Sequence, residues 1–409
     1  MDKKERTLTA SELEKLLGME VTKLSIKRLT APGDNYGSVM LAVDAVLKSG
    51  RNLALVAKMF PTDEMGQKVF QSPTSMKKEI EVYQIISPEY ERIQEEQLVP
   101  PSQRLHAFCD CPGARLSLED HQAEDQLADQ DSVLLLENLR VQGYRTGDRV
   151  VGASLQRTQF VLERLAKFHA TAVAIKIKKP LLFRNKLLKV LAPFKIKGGT
   201  KEEDETRNKK FLESLQTIPA CNRNIDALRE LMTKNLEFTH SDKFIPIREP
   251  FATFAHFDFW TNNMMFKFRS ETDEEPIDFK IVDFQVSQYG SPVSDIMLFL
   301  FTSTETGVVS EHIDSLLELY HRVFVDWLEV LGCETKKFSF EKFMEEVNIV
   351  APETLMQIIY MLMPITFNKD QIETMGEGVP NDDRPVEFND VYIVKLSEAI
   401  NTYEVKKWL

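Results

Sequence analysis

Between residues 39 and 60 the chain has two short apolar runs, Val39 to Leu47 and Leu53 to Phe60, separated by Ser49-Gly50-Arg51-Asn52. Runs of this length bounded by turn residues predict two strands joined by a hairpin. The second carries a single charge, Lys58, which under two-residue alternation shares a face with Ala54 and Val56. An edge lysine that discourages aggregation would give the same pattern. A third run, Val133 to Leu139, is apolar as far as Glu137-Asn138 and predicts a buried strand with a polar, hinge-like end. Two helices are expected around these strands. Ser11 to Leu17 has a serine followed three residues later by Glu14, the capping-box spacing. Another starts at Ser72-Pro73, with Ser72 as its cap, Met76, Ile80 and Tyr83 on one face, and Pro88 as its stop. Residues 91–130 are polar and predict edge strands and surface loops.

From about residue 150 the period changes. Val161, Leu165, Phe168 and Ala172 recur at helical spacing, predicting a long amphipathic helix over Thr158 to Ile175. His169 lies inside it and reads as a packed core residue with no catalytic role. Helices are also expected over 207–250, over Ser310 to Leu331, over Phe340 to Met363 and over Val391 to Trp408, with a turn-rich loop at Met375 to Pro385. The exception is 253–303. There Met264, Phe266 and Phe268 alternate as in a strand, polar residues from Glu271 to Pro276 form a turn, and Phe279, Ile281 and Val282 form a second strand ending at Asp283.

With 43% hydrophobic residues in 409, the chain can bury a large core in one or two domains. Its 51 basic and 63 acidic residues give a net charge of -12, which argues against nucleic acid or an anionic membrane as partner. The charged start lacks the apolar core of a secretory signal, and no later stretch reads as uniformly apolar enough for a stable membrane insertion, so a cytoplasmic protein is expected. Cys109, Cys111, Cys221 and Cys333 are too few for a disulfide framework and read as reduced thiols. A basic segment from Lys176 to Lys201 could dock an anion, although such faces are usually only solvated.

The hairpin supplies the chemistry. His256-x-Asp258-x-x-x-x-Asn263 has the spacing of a phosphotransfer loop, in which the aspartate accepts the hydroxyl proton and the asparagine holds a metal. The turn should return Asp283 beside Asn263, and two oxygen ligands suit magnesium, which keeps waters and substrate phosphates as its others. Glu79 is favoured over Glu81 as the helix acid that pairs with Lys58. Gly33, Asn35, Gly37 and Ser38 lie in a turn that would let backbone approach phosphates, and adenine could bond backbone near Glu137 to Leu139.

Taken together, Gly33-Asp-Asn-Tyr-Gly-Ser, Lys58, Glu79-Ile-Glu-Val-Tyr, Leu136-Glu-Asn-Leu, Leu165-Ala-Lys-Phe-His-Ala, His256-x-Asp-x-Trp-x-Asn-Asn, Asp283-Phe-Gln and Gly290-Ser-Pro-x-x-Asp295 resemble the insect ecdysteroid-kinase-like family, related to choline kinases and aminoglycoside phosphotransferases. The resemblance spans about residues 30–305. It implies an α+β, two-lobed protein-kinase-like fold, with a nucleotide-binding lobe over 1–140 and a mostly helical catalytic and acceptor lobe over 141–409. It also implies ATP and Mg2+ as cofactors and transfer of the γ-phosphate to a hydroxyl of a small lipophilic acceptor such as an ecdysteroid or hydroxylated xenobiotic; a monomer is expected. Asp258 would be the catalytic carboxylate, Asn263 and Asp283 the metal ligands, Lys58 the phosphate contact and Glu79 its orienter, with His256 and Asp295 bracing the loop. One position departs from the family: Phe257 stands where relatives often have glycine. Choline-type specificity, a catalytically dead scaffold and a carrier of lipophilic ligands are the competing readings.

Overall fold

The computed structural model describes residues 7–29, 38–62, 64–119, 126–193, 195, 199–270, 273, 275–367 and 386–409. Gly33, Asn35, Gly37 and the 375–385 loop lie outside them. Strands β1 (Val21–Arg28), β2 (Val39–Leu47), β3 (Asn52–Met59), β4 (Gly113–Arg115) and β5 (Val133–Glu137) form an antiparallel sheet in the order β1-β2-β3-β5-β4. Alternation decides its faces. Val39, Leu41, Val43, Leu55, Ala57, Val133 and Leu135 bury one side with Leu8 and with Leu13 and Leu17 of the Ala10–Leu17 helix. The opposite side of β3 carries Val56 and Lys58 into a cleft. Because β3 lies between β2 and β5, Lys58 is an interior lysine, and the edge alternative fails.

Three local expectations need correction. The first helix is capped by Thr9, not Ser11, with Glu12 completing the box, so Ser11 and Glu14 already lie within it. Ser72 is likewise the first helical residue of Ser72–Glu81 rather than its cap. The chain enters from the Glu64–Val69 helix through Gln71 at φ 45, and the Ser72 backbone is already helical. Pro88 does not end the helix. A π-turn over Val82–Ile86 resets the hydrogen-bond pattern so that Pro88 falls in the first turn of Ser87–Glu96, where the missing N–H costs nothing.

The second half is helical around one core. Leu155–Lys178 packs along Val308–Val330, and the wholly buried Pro292–Ser303 helix packs against Phe340–Thr366. Contrary to the reading of the sequence, Phe340–Thr366 is long and apolar enough to cross a membrane, but most of that apolar stretch is buried inside the protein. Strand β6 (Tyr144–Arg145) joins β8 (Met264–Lys267) and β9 (Asp278–Ile281), while β7 (Thr253–Ala255) pairs with β10 (Gln288–Gly290). Three lysines of the basic segment are used internally. Lys176 binds Glu249 and the Ala252 carbonyl, each at 2.7 Å, Lys179 binds Glu96 at 2.8 Å, and Lys195 donates to the Phe238 carbonyl at 2.8 Å.

The architecture is therefore α+β and kinase-like: an antiparallel sheet with one principal helix, followed by a helical half entered through β6–β9.

Candidate active site

Lys58 projects from β3 toward two carboxylates. Its Nζ lies 2.7 Å from Glu79 Oε2 on the Ser72–Glu81 helix and 3.0 Å from Asp283 Oδ1 just past β9. Glu81 points elsewhere and pairs with Lys77 at 3.7 Å. Burial alone would lower the Lys58 pKa, but Asp283 and Glu79 outweigh it and hold the ammonium above its ordinary value. Glu79 is the more deeply buried acid, and burial pushes it up to about 7 against the pull of Lys58. Replacing Glu81 with Gln should leave nucleotide affinity unchanged and move stability by less than about 0.5 kcal/mol, checked by urea unfolding and ATP titration.

The β8–β9 hairpin forms as its alternation requires, with Met264 opposite Ile281. Val282 N–H donates to the Asn263 carbonyl at 3.0 Å, which places Asp283 beside the loop end. The Asn263 amide donates at 2.8 Å to both the Asp258 carbonyl and Asp258 Oδ2. This leaves the Asn263 side-chain oxygen without a donor among the described residues. Two oxygens, from Asn263 and the partly exposed Asp283, thus remain at the cleft, a hard donor set that fits magnesium. Among the described residues there is no cluster of three or more His, Cys, Asp or Glu that could hold a metal alone. Burial, with the Asp283 charge adding to it, raises the Asp258 pKa against the lowering pull of His256 and Asn263.

The loop is held from below by Asp295. Its Oδ2 accepts from the His256 backbone N–H at 2.6 Å and its Oδ1 from that of Phe257 at 2.7 Å. Asp295 meets His256 through its backbone N–H and not through its ring. That ring bonds the Val282 carbonyl at 3.0 Å, and the imidazole on Asp295 belongs to His169, at 3.1 Å. Phe257 and Asp283 take φ values of 62 and 66, the left-handed region that residues with a Cβ resist. At Phe257 this explains physically why glycine suits the position. The Phe257 ring lies over Gly290, where an added Cβ would come within 2.9 Å of Phe257 Cζ. Gly290→Ala should therefore lose about 1–3 kcal/mol of stability by overpacking, measured as a shift in the urea midpoint.

Lys58, Glu79, Asp258, Asn263 and Asp283 all line one cleft of about 470 Å³, which Glu137, Asn138 and Leu139 line from the end of β5. At that end the Leu139 carbonyl already accepts from Gln142 and Tyr144, whereas its N–H has no partner among the described residues. The Leu139 N–H is thus one backbone donor on offer there. The Glu137 carboxylate is engaged by the Asp110 N–H and by Gln142. Ser38 is buried at the start of β2 and does not line the cleft.

A family model for ecdysteroid kinase-like proteins matches residues 32–333. The chain belongs to the ecdysteroid kinase-like family. No curated protein matches it. Among solved structures it is similar to a protein assigned as a fructosamine-3-kinase from Thermobifida fusca YX-ER1, at 10% identity and a TM-score of 0.37, over 97% of this chain and 98% of that one. It is also similar to the GDP complex of wild-type aminoglycoside 2'-phosphotransferase-IIIa, at 12% and 0.37, over 98% and 99%. A macrolide 2'-phosphotransferase from Brachybacterium faecium follows, at 11% and 0.37, over 92% and 98%. These likenesses bear on neither nucleotide nor acceptor.

Reading the sequence missed part of the cleft lining. Met265 lines the cleft because it faces away from buried Met264 and Phe266, a consequence of the same alternation that identified β8. Leu29, Met40 and Cys109 line it from segments that carry no chemical signal of their own. His169 is buried, as the sequence implied, but it is bonded to the loop brace.

Proposed function

We propose that the protein transfers the γ-phosphate of ATP to a hydroxyl group of a small lipophilic acceptor, an ecdysteroid or another hydroxylated molecule such as a xenobiotic. One observation carries this reading: an interior lysine paired with a helix glutamate faces an Asp–Asn loop across a single cleft, with Asp283 between them. Phosphoryl transfer needs positioned charge more than covalent chemistry, and this set supplies it. Lys58 would contact the nucleotide phosphates with Glu79 fixing its direction. Asp258 would accept the proton of the acceptor hydroxyl as that oxygen bonds the γ-phosphorus and the bond to ADP breaks. Asn263 and Asp283 would hold magnesium, which neutralises phosphate charge when bound. We take the lobe boundary at residues 140/141, just after the hinge, and place the protein in the cytoplasm as a monomer; its four unpaired thiols fit that compartment.

The pH dependence has a definite sign. Asp258 works as a base only when ionised, and burial raises its pKa, so the acid limb of kcat/KM should lie above the ordinary carboxylate range, with activity rising as pH rises through it. A limb at the usual aspartate value would mean that burial does not raise Asp258 in the working enzyme.

The acceptor is identified by offering ecdysteroids, other hydroxylated sterols and toxins, and choline together with labelled ATP and magnesium. Label on a steroid or xenobiotic hydroxyl supports the proposal. Label on choline alone would replace it with a choline-type kinase.

A further inference from the structure

His169, Asp295 and Tyr320 are each fully buried and joined in a row beneath the catalytic loop. His169 Nδ1 lies 2.7 Å from the Tyr320 hydroxyl and Nε2 lies 3.1 Å from Asp295 Oδ2. Burial lowers the His169 pKa against the pull of Asp295, so the ring is neutral and its two nitrogens play opposite roles. The arrangement assigns the proton to Nε2, donating to Asp295, while Nδ1 accepts from Tyr320. The same helix grips the approach to the loop a second time, since Thr253 Oγ1 of β7 donates to the His169 carbonyl at 2.7 Å.

What this row holds in place is unusual. Asp295 takes the N–H of Phe257, Gln357 Nε2 holds its carbonyl at 2.6 Å, and between these clamps Phe257 keeps φ 62. Glycine adopts that conformation freely and phenylalanine resists it. Asp258 is the next residue along, so any relaxation of Phe257 moves the carboxylate.

We propose that His169, oriented by Tyr320, is a positioning residue that acts through Asp295 to keep Phe257 in the left-handed conformation and so aims Asp258 at the acceptor. The inference rests on the phosphotransfer reading. Without the imidazole, Asp295 Oδ2 loses its side-chain donor and the carboxylate can turn, releasing the backbone it holds. The cleft residues that contact nucleotide are not touched.

The test uses the full chain with His169→Leu, His169→Gln and Phe257→Gly, singly and with each His169 change combined with Phe257→Gly. Glutamine is included because its amide can restore a donor toward Asp295. His169→Leu should lower kcat about tenfold with the KM for ATP within about twofold, and His169→Gln should recover most of the loss. Made on a Phe257→Gly background, His169→Leu should cost about threefold or less, because glycine needs no restraint at that φ. Amide hydrogen exchange at His256 and Phe257 should quicken in His169→Leu. A full tenfold loss on the glycine background, a KM that rises as kcat falls, or exchange that does not change would each overturn the proposal. If the wild-type chain phosphorylates no acceptor, the phosphotransfer reading fails on its own, and the exchange rates then decide whether His169 holds the loop.

Discussion

Asp258→Asn should reduce kcat about 10³-fold while ATP affinity changes by less than about threefold. The amide keeps the shape of the side chain and can still bond Asn263, which donates to Asp258 Oδ2 at 2.8 Å, but it cannot take a proton. The Asp283 charge beside it remains, and so does the Lys58 pair proposed to meet the phosphates. Single-turnover measurement with calorimetric ATP binding separates the two effects. Near-normal turnover in the variant would remove Asp258 from the proton-accepting role.

Lys58→Met should lower kcat/KM for ATP about 10²-fold or more, since the cation would act on phosphate charge inside a sheltered cleft where such contacts are strong. Its effect on stability has a sign that depends on pH. Removing one partner of a buried ion pair costs about 3–5 kcal/mol when the other charge is stranded. Glu79 is already raised to about 7, and without Lys58 it rises further and can neutralise itself. A group whose folded pKa is raised contributes stability at low pH and loses it as pH rises through that pKa. The variant should therefore be close to wild type in stability near pH 6 and clearly weaker near pH 9, measured by urea unfolding at both. Equal losses at both pH values would mean that Glu79 is not the stranded group.

The site was legible wherever the sequence couples a period to a chemical exception. Lys58 stood out as the one charge in an apolar strand, and Asp283 as the end of another. The 264–283 hairpin could be drawn from alternation and a polar turn alone, and it brings Asn263 and Asp283 together as expected. What escaped depended on contacts distant in sequence. His169 looks like any histidine on a helix face until Asp295 and Tyr320, 126 and 151 positions away, close on it. The strain at Phe257 was visible only as an odd substitution, because φ follows from the Asp295 and Gln357 clamps and not from the residue's own preference. Helix ends were misread for a local reason. Ser11 and Ser72 are good caps, but Thr9 with Glu12 competes successfully for the first helix, and the left-handed Gln71 starts the second helix one residue early. The π-turn before Pro88 has no sequence signature that separates it from a helix stop.

The acceptor remains the chemical question, and transfer itself is the claim to test first. Purified protein is incubated with γ-labelled ATP and the acceptor panel, with and without magnesium, beside Asp258→Asn. The account predicts label on the hydroxyl of one acceptor class, dependent on the metal and absent in the variant. Acceptor binding that is indifferent to ATP and magnesium, with no labelled product, would contradict it and make the protein a carrier.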